Sequence, residues 1–208
     1  MAFIEINGVP LVGYFGLPAD DKSDRKIAEF LEDNLACGWN QLTLCSDLMR
    51  DLLDHPERVA SVRKLFDSFG ATCRCVHAAW NNTGGVGEEM SLPFDGNRGR
   101  MLDRCRRTLE YSALFGADTC VFHAEPDPNV EDRPHHTLEE WISYVDDALE
   151  KLLPFAQQCG VVIALENIWT ELSCGDMLAG FCRRFPSPEN PPERGLHHTR
   201  VFRPAHPR

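Results

Sequence analysis

Four times in this chain an amphipathic stretch ends in a glycine, and a short β-rich run begins within a few residues. The junctions are Cys37-Gly38-Trp39, Phe69-Gly70-Ala71, Phe115-Gly116-Ala117 and Cys159-Gly160-Val161. Glycine just past a helix supplies the left-handed conformation that closes it and turns the chain back. Serial repetition of helix, glycine and strand restricts the chain to successive βα units and a parallel sheet. Strands are expected at residues 10–16, 41–45, 72–78, 119–124 and 161–166. The intervening helices show apolar stripes at helical spacing. The first carries Ile27, Phe30, Leu31 and Leu35; the second opens at Pro56 and carries Val59, Val62, Leu65, Phe66 and Phe69. The third carries Met101, Leu102, Cys105, Leu109 and Ala113, and the fourth starts at Thr137-Leu138-Glu139-Glu140, the pattern of a capping box. Such stripes are core and imply no function.

Loop lengths are unequal. The turns after each glycine are short, whereas the loop after the third strand, 79–97, is long and glycine-rich, and that after the fourth, 125–136, is rich in Pro and His. The elaborated rim is therefore the one at the strand C-termini, where parallel α/β folds bind ligands.

The fifth strand reads Gly160-Val161-Val162-Ile163-Ala164-Leu165 and stops at Glu166-Asn167. A continuous aliphatic run is the mark of a strand buried on both faces. A carboxylate at its end costs several kcal/mol, on the order of other desolvated ions, unless a metal or partner compensates it. Two other strands end comparably, in Val76-His77-Ala78-Ala79-Trp80-Asn81 and Val121-Phe122-His123-Ala124-Glu125-Pro126. A single histidine at a strand end is more often a hydrogen-bonded structural residue than a ligand. Two imidazoles and a carboxylate on successive parallel strands, all at one rim, instead form a donor set for Zn²⁺, Mn²⁺ or a similar ion.

Charge and cysteine content narrow the function classes. A formal net charge of -11 argues against a surface built for a nucleic-acid backbone, which needs clustered Lys and Arg. There is no apolar run of membrane-spanning length and no basic-then-apolar leader at Met1, so the expected location is the cytoplasm. The nine cysteines are scattered, with no C-x-x-C pair. Most fall in apolar runs, where a reduced Cys is a small hydrophobe. Cys73 and Cys75 are expected on one face of the third strand.

The order of units, with Val76-His77-Ala78 after strand three, Phe122-His123-Ala124-Glu125 after strand four and Ala164-Leu165-Glu166-Asn167 after strand five, resembles the xylose isomerase-like TIM-barrel superfamily. That superfamily includes sugar and sugar-phosphate isomerases and epimerases, inosose dehydratase-like enzymes and endonuclease IV-type apurinic endonucleases. The resemblance covers roughly residues 10–188 and implies an α/β, TIM (β/α)8-barrel fold. It implies Glu166 as a metal ligand that also takes part in proton transfer, with His77 and His123 as further metal ligands or as residues lining the substrate pocket. Trp80, Asn81, Glu125, Asn167 and Trp169 are implied as substrate-binding residues, although aromatics such as Trp80 and Trp169 serve as often as plain rim packing. The implied chemistry is aldose–ketose isomerisation or C3 epimerisation of a sugar or sugar phosphate. A divalent metal (Mn, Zn, Mg or Co) polarises the carbonyl and steadies the enediolate that forms when a carboxylate removes the neighbouring proton. The two histidines leave an apurinic/apyrimidinic endonuclease-like phosphodiesterase as the alternative, opposed by the net acidity. A second alternative is a non-catalytic half-barrel that self-associates through its open edges.

A complete barrel of this kind has eight strands, and only about five βα units are legible. After Met177, Leu178, Phe181, Phe185 and Pro186-Ser187-Pro188, the sequence of 189–208 shows no strand-like run, and prolines sit where ladder donors are needed. It carries four arginines against two glutamates, in contrast to the acidic body. Residues 1–188 are thus expected to be a partial barrel and 189–208 a disordered or out-of-frame tail, a point the coding DNA after the Pro188 codon tests. The Asp, His and Glu that the resemblance implies after later strands have no counterpart. A fragment of this kind is expected to be poorly stable and inactive alone.

Overall fold

The computed structural model describes residues 5–6, 9–10, 13–15, 21–79, 89–94, 96–125, 136–167 and 173–185. A two-stranded antiparallel pair, β1 (Glu5–Ile6) with β2 (Val9–Pro10), precedes the main sheet. The main sheet consists of β3 (Gly13–Phe15), β4 (Gln41–Leu44), β5 (Thr72–His77), β6 (Thr119–Phe122) and β7 (Val162–Leu165). Its order in space is the order in sequence, and every pairing is parallel. The five expected strands are all present, the first of them described over Gly13–Phe15. Among the described residues, β3 and β7 are each paired on one side only.

The helices are α1 (Asp24–Ala36), α2 (Ser46–Asp54), α3 (Val59–Phe69), α4 (Arg98–Leu114), α5 (Leu138–Cys159) and α6 (Gly175–Arg184). A 3₁₀ turn at Pro56–Arg58 leads into α3. The sequence reading did not include α2, which begins almost directly after β4 and buries Leu48, Met49, Leu52 and Leu53. The capping box at α5 is formed: the Thr137 hydroxyl accepts from the Glu140 backbone N–H while the Glu140 carboxylate accepts from that of Thr137.

All four junction glycines have positive φ: 86° at Gly38, 62° at Gly70, 82° at Gly116 and 68° at Gly160. At Gly160 the turn closes with Val161 N–H donating to Ala156 O at 3.0 Å, and β7 starts one residue later. A Cβ added there would meet nothing within 4 Å. Gly160→Ala therefore tests backbone conformation alone, and urea unfolding is expected to show a loss of about 1 kcal/mol. An unchanged midpoint would contradict the left-handed turn.

Alternation along the strands sorts the side chains onto two faces. Leu42 and Leu44, Cys73 and Val76, Cys120 and Phe122, and Leu165 join the helices in one continuous core. Cys75, Val121 and Ala164 form a separate small layer on the opposite face. The expectation that Cys73 and Cys75 share a face is corrected here. The ladder pairs Leu42 with Cys73 but Thr43 with Cys75, so Arg74 is an extra residue in β5 and the alternation slips by one. Arg74 is half exposed and meets Asp118 at 2.8 Å. No helix among the described residues is long and apolar enough to cross a membrane.

Candidate metal centre

Two residues beyond Cys75, Val121 and Ala164 come His77, His123 and Glu166. Because strand side chains repeat every second residue, these three stand on the same face as that small layer, one step nearer the strand C-termini. The backbone carrying them stays in register. Ala78 N–H donates to Val121 O at 2.9 Å, and Glu166 N–H donates to Phe122 O at 3.0 Å. The sheet thus fixes where the three side chains start, and small neighbours leave them room.

The side chains converge. His77 Nε2 lies 3.0 Å and His123 Nε2 2.8 Å from the same oxygen, Glu166 Oε2. The imidazoles stand edge to face with centroids 5.0 Å apart. His123 is buried, and the side chains of His77 and Glu166 are about one-fifth exposed, at 20% and 22%, so the cluster is reachable from one side. Burial works against the Glu166 charge, but hydrogen bonds from His123 and His77, with their positive charge, outweigh it and hold the carboxyl far below the usual carboxylate range.

Hydrogen-bond directions bear on what this cluster can hold. His77 Nδ1 is 2.8 Å from Ala78 O. A carbonyl only accepts, so Nδ1 carries the proton, and a neutral His77 presents a lone pair at Nε2 toward the Glu166 oxygen. Two lone pairs 3.0 Å apart repel unless a proton or a cation lies between them. Fixing the tautomer through the far ring nitrogen is also how metal-bound histidines are oriented. The three candidate ligand atoms lie within 4.8 Å of one another. Two imidazoles and one carboxylate would supply three ligands to a divalent ion such as Zn²⁺. The residues fit a divalent metal.

Of the other residues singled out in the sequence, Glu125 is fully buried and Asn167 half-buried, both just beyond the histidine and glutamate of their strands. Trp80, Asn81 and Trp169 lie outside the described residues, as does the whole of 189–208. Sequence reasoning missed the segment 89–92, in which Glu89, Met90 and Ser91 are buried. Met90 N–H donates to His123 O at 3.3 Å and Ser91 N–H to Ala124 O at 3.0 Å, so this part of the β5–α4 loop lies along the chain leaving β6. Glycine and charge in the loop hid the apolar anchor at Met90.

No curated protein matches this sequence. Solved structures do. The 3-keto-D-glucoside 4-epimerase YcjR from E. coli superposes with a TM-score of 0.63 at 16% identity, covering 91% of this chain and 66% of that one. D-psicose 3-epimerase from Clostridium cellulolyticum H10 gives 0.58 at 10% identity, covering 78% and 55%. A xylose isomerase-like TIM-barrel protein from Mycobacterium smegmatis, solved in complex with magnesium, gives 0.62 at 14% identity, covering 84% and 60%. This chain spans two thirds or less of the length of each, and at such identities the likeness is one of fold. A family model described as xylose isomerase-like TIM barrel matches residues 31–190. That match takes in every described strand from β4 to β7 and the three strand ends that converge, and the chain belongs to the xylose isomerase-like TIM-barrel family.

Proposed function

We propose that this chain provides a divalent-metal site for isomerisation or epimerisation of a sugar or sugar phosphate. The observation that carries the proposal is the single Glu166 oxygen held 3.0 and 2.8 Å from the Nε2 atoms of His77 and His123 at the strand C-termini. A divalent cation (Mn, Zn, Mg or Co) bound there would supply Lewis acidity toward a carbonyl oxygen. His77 and His123 contribute neutral nitrogen donors, and Glu166 supplies the compensating negative charge. A carboxylate has two oxygens, so Glu166 can act as a ligand through one while the other removes a proton from the carbon beside the carbonyl. Glu125 and Asn167, together with Trp80, Asn81 and Trp169, are assigned to hold the sugar. The substrate class is supported by the keto-sugar substrates named for the similar epimerases. Residues 1–188 form the barrel segment in this proposal and 189–208 a tail outside it.

One base works from one face of the substrate. Proton removal and return by Glu166 alone exchanges the proton without inverting the carbon. Incubation of the metal-loaded chain with D-psicose, D-fructose and their phosphates in D₂O, followed by NMR, is therefore expected to show deuterium entering beside the carbonyl while no isomer or epimer accumulates, the fragment being inactive in net turnover without the later Asp, His and Glu. Absence of exchange from every sugar by a protein that binds metal would sink the proposal. The two histidines also favour a phosphodiesterase acting at abasic sites, against which the net charge of -11 weighs. Metal-dependent nicking of abasic duplex DNA without ketose exchange would decide for that second reading.

A further inference from the structure

Arg98, the first residue of α4, is only 5% exposed, although it is charged and lies outside the histidine–glutamate cluster. Its guanidinium faces two elements at once. On one side, Nε and Nη2 donate to Asp147 Oδ2 at 3.0 and 2.6 Å, and Nη2 donates to Tyr144 O at 2.6 Å, all on α5. On the other side, Nη1 donates to the carbonyls of Leu92 and, at 3.5 Å, Met90. The Phe94 ring closes over it with its centroid 4.6 Å from Cζ. The Met90 and Leu92 carbonyls are thus held by Arg98, while the N–H groups of Met90 and Ser91 in the same short segment donate to His123 O and Ala124 O. Arg98 is the clamp and this segment the spacer between α5 and the backbone of one candidate ligand.

We infer that Arg98 is a positioning residue for His123, acting through the 90–92 segment. A guanidinium suits this task because its planar fork can bond a carboxylate and several carbonyls in fixed directions, which a lysine ammonium cannot reproduce. Backbone hydrogen bonds tie the segment to the chain at His123 and Ala124, so the effect is expected to fall on His123 first. Asp147 keeps a second partner in Lys151, 2.7 Å away, when Arg98 is lost. The consequence for metal affinity rests on the proposed metal site; the consequence for His123 itself does not.

The test is Arg98→Lys in the full chain, with ¹³C-labelled histidine and amide hydrogen exchange. The His123 Cε1–H signal is expected to move while that of His77 stays in place, and the Met90 and Ser91 amides are expected to exchange about tenfold faster. Lys151→Met, which touches Asp147 but not the loop, should leave all four probes unchanged. If Arg98→Lys does not fold, Asp147→Asn is read in the same way. Unmoved His123 and unchanged amides in a folded variant overturn the inference, as does an equal shift of His77, which would mean a general loosening. Zn²⁺ affinity of the variant is expected to fall about tenfold, as for other outer partners of a ligand. Wild-type protein that binds no Zn²⁺ would defeat the metal proposal, leaving the histidine and amide readouts to decide the role of Arg98.

Discussion

Glu166→Gln is expected to weaken divalent-metal binding by at least about 100-fold, equivalent to roughly 2.7 kcal/mol. Loss of an outer-shell partner already costs about 10–100-fold in comparable sites, and Glu166 is the one negatively charged member of the cluster. Its amide counterpart keeps the size and can still meet an imidazole, but it cannot neutralise a cation held by two neutral nitrogens. The fold should tolerate the change, because Gln keeps the size of the Glu166 side chain, which is about one-fifth exposed. Competition against a chromophoric chelator, alongside thermal melting of the metal-free proteins, separates affinity from stability. Equal affinity in the variant would mean that the metal is bound elsewhere, with exposed Cys37, Cys174 and Cys182 the next candidates.

The second large effect concerns the scaffold. Phe66 on α3 and Phe115 at the C-cap of α4 are both fully buried and meet edge to face, with centroids 5.3 Å apart and planes at 76°. They join two consecutive βα units on the helix side of the sheet. Phe66→Ala removes a ring from a close-packed region and leaves a cavity, a change that costs about 3–5 kcal/mol. The edge-to-face pairing adds about 0.5–1.5 kcal/mol. Against a total stability of about 5–15 kcal/mol for a domain of ordinary size, that is a large share. Denaturant unfolding should show the midpoint falling steeply at nearly constant slope, with Phe66→Leu losing much less. Near-equal midpoints for wild type and the alanine variant would mean that α3 and α4 do not share a core.

Much of the fold was legible because its punctuation is local. A glycine past a helix and an aliphatic run after it are read from a few neighbouring residues, and each of the four junctions does adopt positive φ. The helix α2 was not recognised, although Leu48, Met49, Leu52 and Leu53 have helical spacing, because it is short and follows β4 without a loop. The slip at Arg74 could not be read from β5 alone. A bulge is a relation between two strands, and strict alternation put Cys73 and Cys75 together when they stand on opposite faces.

The candidate site was legible for a similar reason. His77, His123 and Glu166 are polar residues ending aliphatic runs, and topology alone brings such ends to one rim. Their convergence on a single carboxylate oxygen depends on register across three strands, which the sequence does not display. Arg98 was out of reach altogether, since its partners Tyr144 and Asp147 lie 46 and 49 positions away.

The most direct test of the metal site is zinc K-edge X-ray absorption on the chain loaded with one equivalent of Zn²⁺. The geometry predicts imidazole scattering from two histidines at about 2.0–2.1 Å, with oxygen completing the shell. A first shell containing sulfur at about 2.3 Å, or a spectrum unchanged by Glu166→Gln and His123→Ala, would contradict it.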